Sequence, residues 1–193
     1  MNEIPQIFEF MMEVEKLKGG LRKSKPVGLE RYENSAEHSW HVCLSALMLK
    51  DYAKDPVDID RVIRMLLIHD LGEIDAGDKI IYSSETPQQK SEELAGIQRL
   101  LQFLPSKEQD YFLTLWQEFE LGESPEARFA KAIDRIPPLL HNIHHKGEGW
   151  SENGISKQQV FDLNSERISA GSPDIWKAME SKLIQAVEDG ILK

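Results

Sequence analysis

Apolar and polar residues recur along this chain with a helical period almost from end to end. In residues 4–18, Ile4, Ile7, Phe8, Met11, Met12, Val14 and Leu17 form one broad stripe, which predicts an amphipathic helix. Gly19 and Gly20 stop it. Residues 20–34 are polar, carry Pro26 and Gly28, and read as a loop. Ser35 reads as an N-cap, and the pattern from there to Lys54 predicts a long, mostly buried helix that Asp55-Pro56 breaks. Asp58 or a near neighbour caps the next one. Its Val62, Ile63, Met65, Leu66, Leu67 and Ile68 are apolar all round, so burial on most of its surface is expected before it runs into His69-Asp70. The stretch KIIYSSETP, residues 79–87, is strand-like but short and partnerless, and reads as a loop. Further helices are predicted over 87–104, from Pro105-Ser106 onward, from Ser124-Pro125-Glu126 onward, and at about 156–169 and 173–190. Residues 145–154 read as a loop. The expected architecture is all-α: a single domain over 1–193, a bundle of about eight helices with no strands to build a sheet.

Composition narrows the function. The 193 residues suit one domain with a full core. The net charge of −10 lacks the basic footprint of a nucleic-acid binder and disfavours an anionic membrane surface. A small anionic substrate remains compatible if a cation and a few Arg or Lys sit locally in a site. The one cysteine, Cys43, forms no intrachain disulfide. The N-terminus lacks the basic region of a secretory signal, and no stretch approaches the ~20 apolar residues of a membrane span. A cytoplasmic protein is expected.

Ionisable groups at the end of a buried helix are costly unless satisfied. His69 and Asp70 stand there, with Glu73, Asp75 and Asp78 close behind. A metal ion would satisfy them, with further ligands from other helices. His38 and His41, three apart, share a face of the second helix. Asp134 is a lone carboxylate on an apolar face, and Pro137-Pro138 predicts a bend just after it. Taken singly, each has a plain alternative: hydrogen-bonded side chains at a helix end, or a solvated acidic turn.

His38, then His69-Asp70, then Asp134 resemble the H…HD…D signature of the HD-domain metal-dependent phosphohydrolases. ENSAEHSW, HDLGEIDAGD and KAIDRIPPLLHN resemble more closely the branch holding the YfbR-type 5′-deoxynucleotidases, over roughly residues 5–180. The resemblance implies an all-helical fold with one divalent ion held by His38, His69, Asp70 and Asp134. It implies hydrolysis of a nucleoside 5′-monophosphate, deoxynucleotides favoured, by attack of water activated at the ion. Two imidazoles and two carboxylates suit Mn²⁺, Co²⁺, Fe²⁺, Ni²⁺ or Zn²⁺ better than Ca²⁺, and Mg²⁺ belongs on the same roster. Glu73 and Asp78 match the family's proton-handling acids. A phosphate-binding arginine is expected before the first ligand, either Arg22 or Arg31, with Arg22 favoured because it follows the first helix directly. Arg135 is expected to make a surface ion pair, and Lys131 is a weaker phosphate candidate. Trp40 is a candidate wall of the nucleoside pocket; Trp116 and Trp176 read as packing. His41 is read as a neighbour or support of His38, and His141 as a remote candidate for a second metal. Relatives are often homodimers, and the apolar first helix and the closing helices offer a face for one. The rival readings are another HD-domain hydrolase acting on triphosphates or cyclic nucleotides, and a metal-stabilised nucleotide-binding module without turnover.

Overall fold

The computed structural model describes residues 3–82 and 86–193. Eight helices of ten or more residues account for the bundle: α1 (Ile4–Val14), α2 (Ser35–Leu49), α3 (Ile59–Ile68), α5 (Pro87–Leu101), α6 (Ser106–Leu121), α7 (Pro125–His144), α9 (Lys157–Gly171) and α10 (Pro173–Glu188). Two single turns, α4 (Glu73–Ala76) and α8 (Glu148–Glu152), and two 3₁₀ stretches, Glu15–Gly19 and Lys50–Tyr52, which end the first two helices earlier than the expected 18 and 54, complete them. No strand occurs among the described residues; Leu21 and Asn34 form an isolated antiparallel bridge. Of the strand-like stretch 79–87, residues 79–82 are coil and turn, and 83–85 lie outside the described residues.

Most helix starts carry their own cap, which is why the pattern was so regular. Asp58 accepts from the backbone N–H groups of Asp60 and Arg61, Ser124 from Ala127, and Ser172 from Ile175. Thr86-Gln89 and Ser156-Gln159 are reciprocal capping boxes. The α2 start corrects the expectation. Asn34 is the cap, paired reciprocally with Glu37, and Ser35 is the first helical residue. Residues 145–154 are also not simply a loop, since α8 forms within them.

Helix α7 is the axis of the bundle. It buries Phe129, Ala130, Ala132, Ile133, Ile136 and Leu139 against α2, α3, α6 and α9. It runs unbroken through Pro137 and Pro138, although neither can donate to the carbonyls of Ile133 and Asp134. Helix α3 departs from the expected all-round burial: Val62, Met65, Leu66 and Ile68 are buried, while Leu67 faces out. Helix α1 buries no residue fully, and Ile4, Phe8, Met11 and Met12 are exposed. Residues 20–35 fold back on themselves through Arg22 N–H to Glu33 C=O (2.8 Å), Glu33 N–H to Ser24 C=O (2.9 Å) and Ser35 N–H to Gly20 C=O (3.0 Å). This clasp carries Arg22 and Glu33 into the bundle.

Close backbone contact fixes the segment after His69-Asp70. Gly72 lies against α5 so tightly that a Cβ there would sit 2.7 Å from the Glu93 carbonyl oxygen, and one on Gly96 would sit 2.7 Å from that of Gly72. Two glycines face each other, and the turn carrying Asp70 and Glu73 is pressed onto α5.

Candidate metal centre and its cavity

Three helices and the clasp converge on one point. His38 stands one turn into α2, wholly buried. His69 caps the C-terminus of α3, and its carbonyl accepts from the indole N–H of Trp116 at 3.1 Å. Trp116 thus holds the turn as well as filling space. Asp134 lies midway along α7, buried. His38 Nε2 is 2.7 Å from Asp134 Oδ1, and His69 Nε2 is 3.6 Å from the same oxygen and 3.0 Å from Asp70 Oδ1.

The hydrogen bonding of His69 tests whether a cation fits. Its Nδ1 donates to the Leu66 carbonyl at 2.8 Å, which leaves the Nε2 lone pair for the side facing Asp70 and Asp134. That Nε2 is buried without a hydrogen-bond partner. A lone pair turned toward two carboxylate oxygens is repulsive unless a proton or a cation lies between them. One ligand atom from each of His38, His69 and Asp134 falls within 4.8 Å of the others. The donors fit a divalent transition metal. Without one, a proton takes its place. Burial alone would lower the His69 pKa, but Asp70 and Asp134 raise it to about 9.

The other oxygens of the two aspartates face cations. Arg22 Nη1 donates to Asp70 Oδ2 at 2.9 Å and lies 3.6 Å from Asp78 Oδ1. Arg135 is buried and clamps Asp134 Oδ2 through Nε (3.0 Å) and Nη2. The expected surface ion pair of Arg135 is therefore corrected: its side chain bends back along the helix onto its own neighbour. Burial would raise the Asp134 carboxyl, but Arg135, His38 and His69 outweigh it and hold it well below the usual range.

These groups border a cavity of about 390 Å³ whose lining includes Arg22, Glu73, Asp78, Lys131, Asp134 and Arg135. Glu73 reaches it by a different route from simple helical spacing, since α3 ends at Ile68 and Glu73 begins α4. Its Oε2 accepts from the Ser35 hydroxyl at 3.2 Å. Burial, joined by the charges of Asp70 and Asp78, pushes its carboxyl up to about 9 despite Arg22. Asp78 is raised too, by burial against the pull of Arg22. Asp75 does not join them: it is exposed and ion-paired with Arg99 at 2.6 Å. Arg31 is exposed and paired with Glu37, which leaves Arg22 as the clasp arginine in the cavity.

Trp40 corrects the expectation made for it. It is 65% exposed, stacks on His41 and lies outside the cavity wall. An aromatic two residues after the buried His38 points roughly 200° away around a helix. Tyr82, Trp150, Asn142 and Ile155 line the cavity instead. Sequence reasoning missed Glu33, which is 2% exposed and turns Oε2 toward His38 Nδ1 at 3.6 Å. Its position just before the Asn34 cap was the available signal.

An all-α bundle thus gathers two histidines and two aspartates, from α2, from the turn after α3 and from α7, beside a cavity edged by acids and arginines. The chain belongs to the HD-domain family, which matches residues 14–176. Over 98% of both chains it superposes, at 39% identity and a TM-score of 0.92, on a structure described as a predicted metal-dependent phosphohydrolase from Magnetospirillum magnetotacticum MS-1. A conserved hypothetical protein from Pyrococcus furiosus shares the fold at 20% identity and a TM-score of 0.59, covering 83% of this chain and 98% of that one. Among curated relatives, human 5′-deoxynucleotidase HDDC2 is 28% identical over 61% of this chain and 59% of its own length. The bovine protein of the same name is 28% identical over 73% of this chain and 67% of its own. The chain thus spans about three fifths of the human relative it matches.

Proposed function

We propose that this chain is a metal-dependent phosphohydrolase that cleaves nucleoside 5′-monophosphates, 2′-deoxy sugars favoured, to nucleoside and phosphate. The observation that carries the reading is the partnerless His69 Nε2, buried between two aspartates at the floor of the cavity. The 5′-deoxynucleotidase names of its relatives support the substrate class. His38, His69, Asp70 and Asp134 would hold one divalent ion. When bound, it would acidify water and offset phosphate charge. Which metal serves is left to the donor set, which admits Mn²⁺, Co²⁺, Fe²⁺, Ni²⁺, Zn²⁺ or Mg²⁺.

The chain's own residues supply the rest. Arg22, reinforced by the positive wall of Lys131 and Arg135, orients the phosphate. Glu73 is a carboxyl that burial holds protonated and a neighbouring cation would release. It is therefore suited to taking a proton from the attacking water and returning one to the departing 5′-oxygen. Asp78, 3.6 Å from Arg22, is the second acid, suited to fixing the attacking water or the sugar. Tyr82 and Trp150 offer flat and polar surface for the nucleoside. The protein is proposed to work in the cytoplasm as a homodimer, the exposed apolar face of α1 being the surface that supports pairing.

Phosphate release from matched panels of ribo- and deoxyribonucleoside mono-, di- and triphosphates, each with and without chelator, tests this. Chelator-sensitive turnover of monophosphates, faster for deoxy sugars, is expected. Phosphate release confined to di- or triphosphates would replace the substrate, and no turnover with any divalent cation would end the reading.

A further inference from the structure

We propose a second cation site, separate from the first, formed by Glu33, His41 and His141. The three come from the clasp, from α2 and from α7, and one ligand atom of each lies within 4.8 Å of the others. Glu33 and His141 are 2% and 4% exposed. His141 Nδ1 is buried with no hydrogen-bond partner and faces Glu33 Oε2 from 4.0 Å, beyond hydrogen-bonding distance. The imidazoles of His41 and His141 lie nearly parallel, with centroids 5.7 Å apart.

The spacing is that of ligands around an ion. Bonds of about 2.0–2.2 Å place ligand atoms about 3.3 Å apart in a tetrahedral shell and about 4 Å apart across a wider one. The 4.0 Å pair already meets this, and His41, only half-buried, is the partner that closes on it. Two neutral imidazoles and one carboxylate are the donors of Zn²⁺ and its first-row neighbours and a poor set for Ca²⁺ or Mg²⁺. Three protein ligands leave a position for solvent. The first centre is near, because Glu33 Oε2 also faces His38 Nδ1 at 3.6 Å. A cation bound to Glu33 therefore fixes the carboxylate that backs His38.

Zinc binding to chelator-stripped protein, counted after gel filtration by elemental mass spectrometry, tests this without substrate or turnover. It stays informative even if the nucleotidase reading fails. His41→Ala and His141→Gln are each expected to bind one equivalent fewer than wild type, while Asp70→Asn loses a different one and retains this one. Should either histidine variant misfold by circular dichroism, wild-type imidazole ¹⁵N spectra replace it: His141 Nδ1 is expected to shift on zinc addition. An unchanged zinc count in both folded histidine variants, or an unmoved His141 Nδ1 at saturating zinc, would overturn the site. Glu33, His41 and His141 would then be support for His38 alone.

Discussion

Replacing Gly72 by alanine probes how the His69-Asp70 turn is held. Gly72 has φ −62° and ψ −25°, a helical conformation that alanine adopts without strain. On backbone entropy alone the substitution should stabilise the protein by about 0.4–1 kcal/mol. The packing says otherwise. The new Cβ would lie 2.7 Å from the Glu93 carbonyl oxygen, whereas ordinary contact begins at 3.4 Å. Backbone of α5 must retreat by roughly 0.7 Å, an overpacking that typically costs about 1–3 kcal/mol. For 193 residues, unfolding entropy of about 2.1 cal/mol/K per residue converts each kcal/mol into about 2.5 °C. A fall of about 2–8 °C in the thermal midpoint is therefore expected, followed by circular dichroism on chelator-treated protein. Gly96→Ala should behave alike, and the double variant should lose less than the two singles together because one retreat relieves both clashes. A midpoint unchanged or raised in Gly72→Ala would refute the reasoning, since the sign itself separates close packing from backbone freedom.

Further outcomes are expected. The metal-free protein should lose stability as pH climbs from neutrality to about 9. The His69 contribution, with its pKa raised from 6.5, is whole below 6.5 and lost through about 9, while the Glu73 penalty grows from 4.5 toward about 9. Added cation should restore more of the thermal midpoint the higher the pH, and a metal-free midpoint flat across that window would contradict the burial argument. Glu73→Gln should reduce kcat by about 10²–10⁴-fold, read by phosphate release at saturating cation. Trp40→Ala should leave kcat/KM within about twofold, as for a surface change, whereas Arg22→Met should raise KM by about 10–150-fold through loss of a charged hydrogen bond.

The helices were legible because their caps and apolar periods are local. Asp58, Ser124 and the Thr86 capping box announce their helices within a few residues. The α2 start was misplaced by one residue because Asn34 and Ser35 are both good caps, and only the pairing with Glu37 decides between them. Burial of Leu67 is the natural expectation because the four consecutive apolar residues 65–68 carry no phase; only the neighbours of α3 show which side is open. The four ligand candidates were readable as types and order, but the roles of Arg22, Glu33 and Arg135 depend on the clasp and on how side chains fold back, which are contacts between distant segments. Trp40 failed for a geometric reason: on α2 it falls on the side opposite His38.

The most direct test of the central claim is phosphate released from 2′-deoxyadenosine 5′-monophosphate by chelator-stripped protein, followed as one divalent cation is titrated back. The account predicts no release from the stripped protein and turnover that rises with cation occupancy of the His38, His69, Asp70 and Asp134 centre. Release that persists without cation, or a fully loaded protein that leaves the monophosphate intact, would contradict it.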